Sequence, residues 1–227
     1  MSFRTAFVCG NRECFGYSRE GSRILLLQGV DENDLSVLEE QVRLIGEQSP
    51  KPFTFVAFRI GDWNSELSPW PAPPVFGNIP FGDGAPQTLS FVENTLIPEA
   101  RSRFGLPQDC PVVIGGYSLA AFFALWASYN SPSFSAVAAA SPSVWFPGWL
   151  DAAACGSCRA KRVYLSLGDR EEKTRNPVMA TVGQCIRGQH ELLESQGVDC
   201  VLRWNEGNHF KDTGIRCAKA FAWCLED

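Results

Sequence analysis

The sequence lacks the features that would set it apart from ordinary globular chains. Its longest uninterrupted apolar run, Leu119 to Ala127, falls well short of the roughly 18 residues a membrane-spanning helix needs. Basic residues are not in excess: 20 Lys and Arg stand against 25 Asp and Glu, a net charge of -5. That balance argues against a nucleic-acid partner, whose binders usually carry a basic face. The opening Met1-Ser2-Phe3-Arg4 shows no basic segment leading into an apolar core and a small-residue cleavage site, so no export signal is read and a cytoplasmic location is expected. A hydrophobic fraction of 45% with 20% charged residues excludes disorder, collagen and coiled coil. At 227 residues the chain reads as one domain, 1–227, large enough to bury a core without metal or disulfide staples.

Cysteine, by contrast, is plentiful. The count of nine is odd and no export signal accompanies it, so thiols rather than disulfides are expected. Cys185, Cys217 and Cys224 fall in helical patterns and read as small core residues. The pair Cys155-x-x-Cys158 wants a second ligand pair to hold zinc, and the nearest, Cys9 and Cys14, are distant and more loosely spaced. A thioredoxin-like motif would open a helix after a strand, whereas this pair sits in what reads as a late loop. It is taken as structural, with no metal site.

Hydrophobic periodicity switches repeatedly along the chain. Ile24 to Leu27 forms a continuous apolar run, as in a buried parallel strand. Asp31, Asn33 or Asp34 then caps a helix carrying Leu35, Leu38, Val42 and Ile45. Strands follow at Phe53–Ile60, Val112–Ile114, Phe134–Ala139, Val163–Leu167 and Cys200–Trp204. Helices are read from Leu89 towards Phe104, over Leu119–Tyr129, after Pro177 and over Ile215–Leu225. Thr5–Cys9 and Phe15–Tyr17 are candidate edge strands. Such alternation means an α/β fold: a mostly parallel sheet with helices on both faces, in three layers.

One segment breaks the rhythm. Residues 61–87 hold six of the fifteen prolines, four glycines and two tryptophans, with no sustained period. Stretches of this kind inside a compact domain tend to be functional. Trp63, Trp70, Phe76 and Phe81 argue for ordered packing, and the segment leaves the end of a strand, where open parallel sheets bind ligands. It reads as a short cap, with Trp63 and Trp70 lining a pocket beneath it.

The chemistry centres on Gly116-Tyr117-Ser118-Leu119-Ala120. Small residues two places either side of a serine recur by chance, so the setting decides. Here an apolar strand leads in and an apolar helix leads out, which is the tight turn that pushes a serine hydroxyl above a sheet. The helix N-terminus supplies a positive dipole and the N–H of Leu119 as an oxyanion donor. A serine nucleophile needs a base. Of two histidines, His190 lies within a helical pattern, while His209 follows the last strand at Gly207-Asn208-His209-Phe210. A third member should orient the imidazole, and Asp169, Glu171 and Glu172 all follow the strand ending at Gly168.

Taken with Ser141-Pro142-Ser143-Val144-Trp145, these motifs resemble the α/β-hydrolase superfamily, and within it the esterases akin to enterochelin esterase and esterase D. The likeness runs from about Ile24 to the C-terminus. It implies a serine esterase on a small-molecule ester, with Ser118 as nucleophile, His209 as base and no cofactor. The acid of such esterases commonly stands three residues after the strand-ending glycine, which falls on Glu171, with Asp169 the alternative. Tyr117 and Trp145, inside the shared motifs, join Trp63 and Trp70 as candidate pocket residues. Many relatives carry His-Gly after the first central strand, where this chain has Gln28-Gly29-Val30 followed by Asp31-Glu32. The second oxyanion donor is therefore expected from a backbone N–H at Val30.

Overall fold

A computed structural model describes residues 3–75 and 77–226. Its first strands, β1 (Phe3–Cys9) and β2 (Arg12–Ser18), form a hairpin. Gly10, at φ 59°, takes the turn position that disfavours a side chain. The apolar run at Leu25 becomes β3 (Leu25–Val30), buried at every residue. Asp31 then caps α1 (Glu32–Gln48): its carboxylate accepts from Asp34 N–H, and the Asp34 carboxylate accepts from Asp31 N–H. The chain continues through β4 (Thr54–Arg59), the single turn α2 (Trp63–Glu66), α3 (Ala85–Phe91) and α4 (Ile97–Phe104). A wide π turn at Val92–Leu96 joins α3 to α4 just before Pro98, which has no N–H for the ordinary helical ladder. Gly105, left-handed at φ 63°, ends that run.

The second half repeats the unit: β5 (Val112–Tyr117), α5 (Ser118–Asn130), β6 (Ala136–Ala140), α6 (Trp149–Cys155), β7 (Arg162–Gly168), α7 (Val182–Ser195), β8 (Asp199–Asn205) and α8 (Thr213–Cys224). The eight strands form one sheet in the order β1-β2-β4-β3-β5-β6-β7-β8, antiparallel at β1/β2 and β2/β4 and parallel elsewhere. Strand alternation sends Leu25, Leu27 and Ile114 into the core under α3 to α7, and Leu26, Val30 and Val113 into the core under α1 and α8. The β5 strand lies near the middle of the sheet, so its C-terminal end opens at the centre of one edge. Among the described residues no helix is long and apolar enough to cross a membrane.

Two local readings change. The cysteine pair does not sit wholly in a loop: Cys155 ends the short helix α6, and Cys158 follows it. The alanine-rich WLDAAAC carries too little apolar periodicity to announce a helix, and Trp149, buried at its start, anchors it. The 61–87 segment also has local order, in α2, the start of α3 and a bridge pairing Ala72 with Phe81. Phe76 lies outside the described residues.

Candidate active site

Ser118 stands where β5 turns into α5, in the left-handed region at φ 56°. A non-glycine residue there is strained and is held by its surroundings. Those surroundings are tight. A Cβ at Gly116 would meet the Ala120 Cβ at 2.8 Å, and one at Gly115 would meet the Ala138 carbonyl oxygen at 2.5 Å. Small residues on both sides of the serine are therefore a packing requirement. The thirteen-residue α5 points its N-terminus at the hydroxyl, which favours negative charge at that spot.

His209 arrives from the loop after β8. Its Nε2 is 3.0 Å from Ser118 Oγ and its Nδ1 is 2.7 Å from Glu171 Oε2. Glu171 sits on a tight turn after β7, with its N–H donating to the Gly168 carbonyl at 3.1 Å. Gly168 must be glycine, because a Cβ would lie 2.3 Å from the Gly207 carbonyl oxygen. The neighbouring carboxylates do other things. Asp169 Oδ1 accepts from Gly207 N–H at 2.7 Å, tying the histidine loop to the acid turn. Glu172 faces Arg187 at 3.6 Å. Of the three acids, Glu171 is the one that meets the imidazole. A serine, imidazole and carboxylate so linked can move the serine proton onto the ring while the acid fixes its tautomer.

The distal oxygen of Glu171 is held as firmly as the proximal one. Oε1 accepts from Gly168 N–H at 2.7 Å, Ser141 Oγ at 2.8 Å and Arg216 Nη1 at 2.8 Å. Burial pushes the Glu171 carboxyl up, but the hydrogen bond and charge of His209, with those from Ser141 and Gly168, outweigh it and leave it below its ordinary value. Arg216, on the first turn of α8, is only 1% exposed. Its Nη1 also donates to Tyr117 Oη at 3.0 Å, and its Nη2 donates to the carbonyls of Glu206 and Asn208, each at 3.0 Å. One guanidinium thus ties the acid to the stretch of loop that leads into His209. Tyr117 Oη in turn donates to the His209 carbonyl at 2.7 Å. Sequence reasoning missed Arg216 and Ser141. A cation whose i+4 neighbour, Ala220, lies on the buried face of α8 was the available signal for Arg216.

Above Ser118 opens a cleft of about 550 Å³. Its walls include Trp63 and Phe81 from the 61–87 segment, Trp145 from the loop after β6, and Phe210 beside His209. Asn176 Nδ2 donates to the Val75 carbonyl at 2.5 Å, joining the acid loop to the 61–87 segment. Among the described residues, none lining the cleft carries an Asp, Glu, Lys or Arg side chain. Trp63, Trp145 and Leu119 all line this cleft.

Three expected site residues stand elsewhere. Trp70 turns away: its indole N–H donates to the Pro147 carbonyl at 2.9 Å and its ring packs edge-on against Phe146. Tyr117 is buried beneath the site, its ring centroid 5.1 Å from that of His209, and serves the loop rather than the pocket. Val30 cannot supply the second oxyanion donor. It pairs with Arg59 and its carbonyl accepts from Ile60 N–H, so its backbone groups face β4, away from the serine strand. His190 lies on α7 with its Nδ1 3.4 Å from Glu194, outside this network. All nine cysteines are free, and no cluster of metal-ligating side chains occurs among the described residues.

Comparison with known proteins agrees with this architecture. The family model described as "Putative esterase" matches residues 17–209. No curated protein sequence matches the chain. Among solved structures, an IroE-like serine hydrolase from Shewanella oneidensis superposes with a TM-score of 0.79 at 14% identity, covering 99% of this chain and 80% of its own. The siderophore hydrolase EstA from Aspergillus nidulans gives 0.72 at 17% identity, covering 99% and 93%. The enterobactin esterase of Shigella flexneri gives 0.65 at 16% identity, covering 98% and 59%. With a family match over most of its length and an α/β-hydrolase sheet, the chain belongs to the esterase family of that superfamily.

Proposed function

We propose that the protein hydrolyses an uncharged, ring-bearing carboxylic ester through an acyl-enzyme on Ser118. In this reading Ser118 Oγ attacks the ester carbonyl as His209 Nε2 takes its proton. The carbonyl π electrons move onto oxygen, which accepts a hydrogen bond from the Leu119 N–H. Collapse breaks the bond to the leaving alkoxide, which takes the proton back from His209. Water, deprotonated by the same imidazole, then releases the acid. Glu171 holds the ring in the productive tautomer. The observation that carries the reading is the unbroken relay of 3.0 and 2.7 Å from Ser118 through His209 to Glu171.

Substrate character follows from the walls of the cleft, which the 61–87 segment roofs as a cap. They offer indole and phenyl faces but no formal charge, which suits an aromatic group and disfavours an unpaired carboxylate or amine. Ile79 and Phe210, at 67% and 79% exposure, extend that apolar surface to the rim. The nine free thiols favour a reducing compartment, the cytoplasm, as the place of action. The test is kinetic. Ser118→Ala and His209→Ala should each lower kcat/KM by several orders of magnitude, and the double variant should lose little more. Aryl esters, acetyl esters and the siderophore esters named for several structural neighbours belong in one panel. Retention of activity within tenfold by either single variant would overturn the assignment.

A further inference from the structure

An ester hydrolase of this kind needs two hydrogen-bond donors on the developing oxyanion, and the N-terminus of α5 offers one, the N–H of Leu119. Four other N–H groups near this edge of the sheet, at Val30, Asp31, Gly61 and Asp62, are already engaged. Val30 faces β4. Asp31 N–H donates to Asp34 Oδ2 at 3.2 Å. At the end of β4, Gly61 and Asp62 N–H both donate to Glu66 Oε1, at 3.0 and 2.8 Å.

We infer that the hydroxyl of Ser143 is the second oxyanion donor, an inference that rests on Ser118 being the nucleophile. Ser143 Oγ lies 3.4 Å from Ser118 Oγ and lines the cleft, although the residue is only 2% exposed. The oxyanion forms two bonds from Ser118 Oγ, so a donor at this distance can reach the roughly 2.7–3.1 Å spacing that oxyanion donors keep. Its position is fixed before substrate arrives. Ser143 N–H donates to the Ser118 carbonyl at 3.1 Å, Phe146 N–H donates to the Ser143 carbonyl at 3.0 Å, and Pro142, whose ring fixes its own φ, immediately precedes it. The bend begins at Ser141, left-handed at φ 46° and tied to β7 through its N–H and to Glu171 through its hydroxyl. The same short loop thus holds the acid with one serine and presents the other to the reacting carbonyl. Ser143 keeps its proton throughout; it donates a hydrogen bond that strengthens as charge moves onto the carbonyl oxygen.

The experiment compares Ser143→Ala with wild type and Ser118→Ala. Measurements are ester hydrolysis, melting, inhibition by an aryl trifluoromethyl ketone (which forms an anionic tetrahedral adduct with a serine nucleophile) and fluorophosphonate labelling. The expected result is a fall in kcat of about 10²–10³-fold, with KM within about threefold and melting unchanged. The ketone's inhibition constant should rise in step with the loss in kcat. Labelling should persist in Ser143→Ala at a reduced rate and vanish in Ser118→Ala. A kcat within about threefold of wild type, a loss confined to KM, or activity falling only in proportion to melting would each overturn the role of Ser143. Wild-type protein that does not label at all would instead strike the nucleophile reading itself.

Discussion

Replacing Arg216 with methionine should cost the fold more stability than any single change at Ser118 or His209. The guanidinium is 1% exposed and meets the Glu171 carboxylate, the Tyr117 and Ser141 hydroxyls and two carbonyls of the histidine loop. Methionine fills much of the volume but leaves Glu171 Oε1 without its cation and the Glu206 and Asn208 carbonyls without that donor. Removing one partner of a buried ion pair typically costs about 3–5 kcal/mol, a large share of the roughly 5–15 kcal/mol that holds a domain folded. At about 2–4 °C per kcal/mol for a chain of this size, the melting temperature should drop by roughly 6–20 °C. Arg216→Lys, which restores charge but not the two-sided fork, should fall between. Arg216 acts through Glu171 and the His209 loop, so kcat measured well below the melting point should fall more than KM rises. Circular dichroism melts with ester hydrolysis at a permissive temperature read both effects. An Arg216→Met protein that melts within about 2 °C of wild type and keeps its kcat would refute the claim that this cation organises the site.

Further outcomes follow from the same contacts. Trp63→Ala should alter kcat/KM for aryl esters more than for acetyl esters with little change in melting, whereas Trp70→Ala should melt several degrees lower and affect all esters alike; the reverse pattern would mean the two tryptophans had been assigned the wrong way round. The Cys155→Ser, Cys158→Ser double variant should retain its hydrolysis rate, and purified protein should carry well under one zinc per chain; stoichiometric zinc whose removal abolishes activity would contradict this. Burial, with the charge of Asp31, pushes Asp34 up to about 7 against the hydrogen bond from Asp31 N–H. Because the folded value is raised, the stability linked to this proton is fully present below the ordinary carboxylate range and is lost as pH rises through about 7. Wild type should therefore lose melting temperature between about pH 4 and 7 relative to Asp34→Asn and run parallel to it above that range; parallel slopes throughout would show that Asp34 is not the group responsible.

Much of the fold was legible because parallel strands buried on both faces are continuous apolar runs, as at Leu25–Leu27 and Val112–Ile114. Ser118 was legible because the turn from strand to helix excludes bulk at Gly116 and Ala120. His209 emerged because only two histidines compete and the other lies mid-helix. The acid did not separate from its neighbours on residue type alone, since Asp169, Glu171 and Glu172 share one turn; only the turn's geometry decides which carboxylate faces the ring. The second donor failed for a similar reason. Whether Val30 N–H points towards β5 or β4 depends on strand parity, which the register reveals and composition does not. Trp63 and Trp70 look alike in a proline-rich stretch, yet the indole N–H of Trp70 is spent on Pro147. Arg216 stayed hidden because a lone arginine in a terminal helix ordinarily reads as a solvated face.

The central claim is that Ser118 is an activated nucleophile, and covalent labelling measures that most directly. Wild-type protein treated with a fluorophosphonate and digested for mass spectrometry should carry one adduct per chain, located on Ser118. Labelling should disappear in Ser118→Ala and slow by orders of magnitude in His209→Ala. An unlabelled wild type under conditions that label other serine hydrolases, or an adduct on a different residue that persists in Ser118→Ala, would contradict the account.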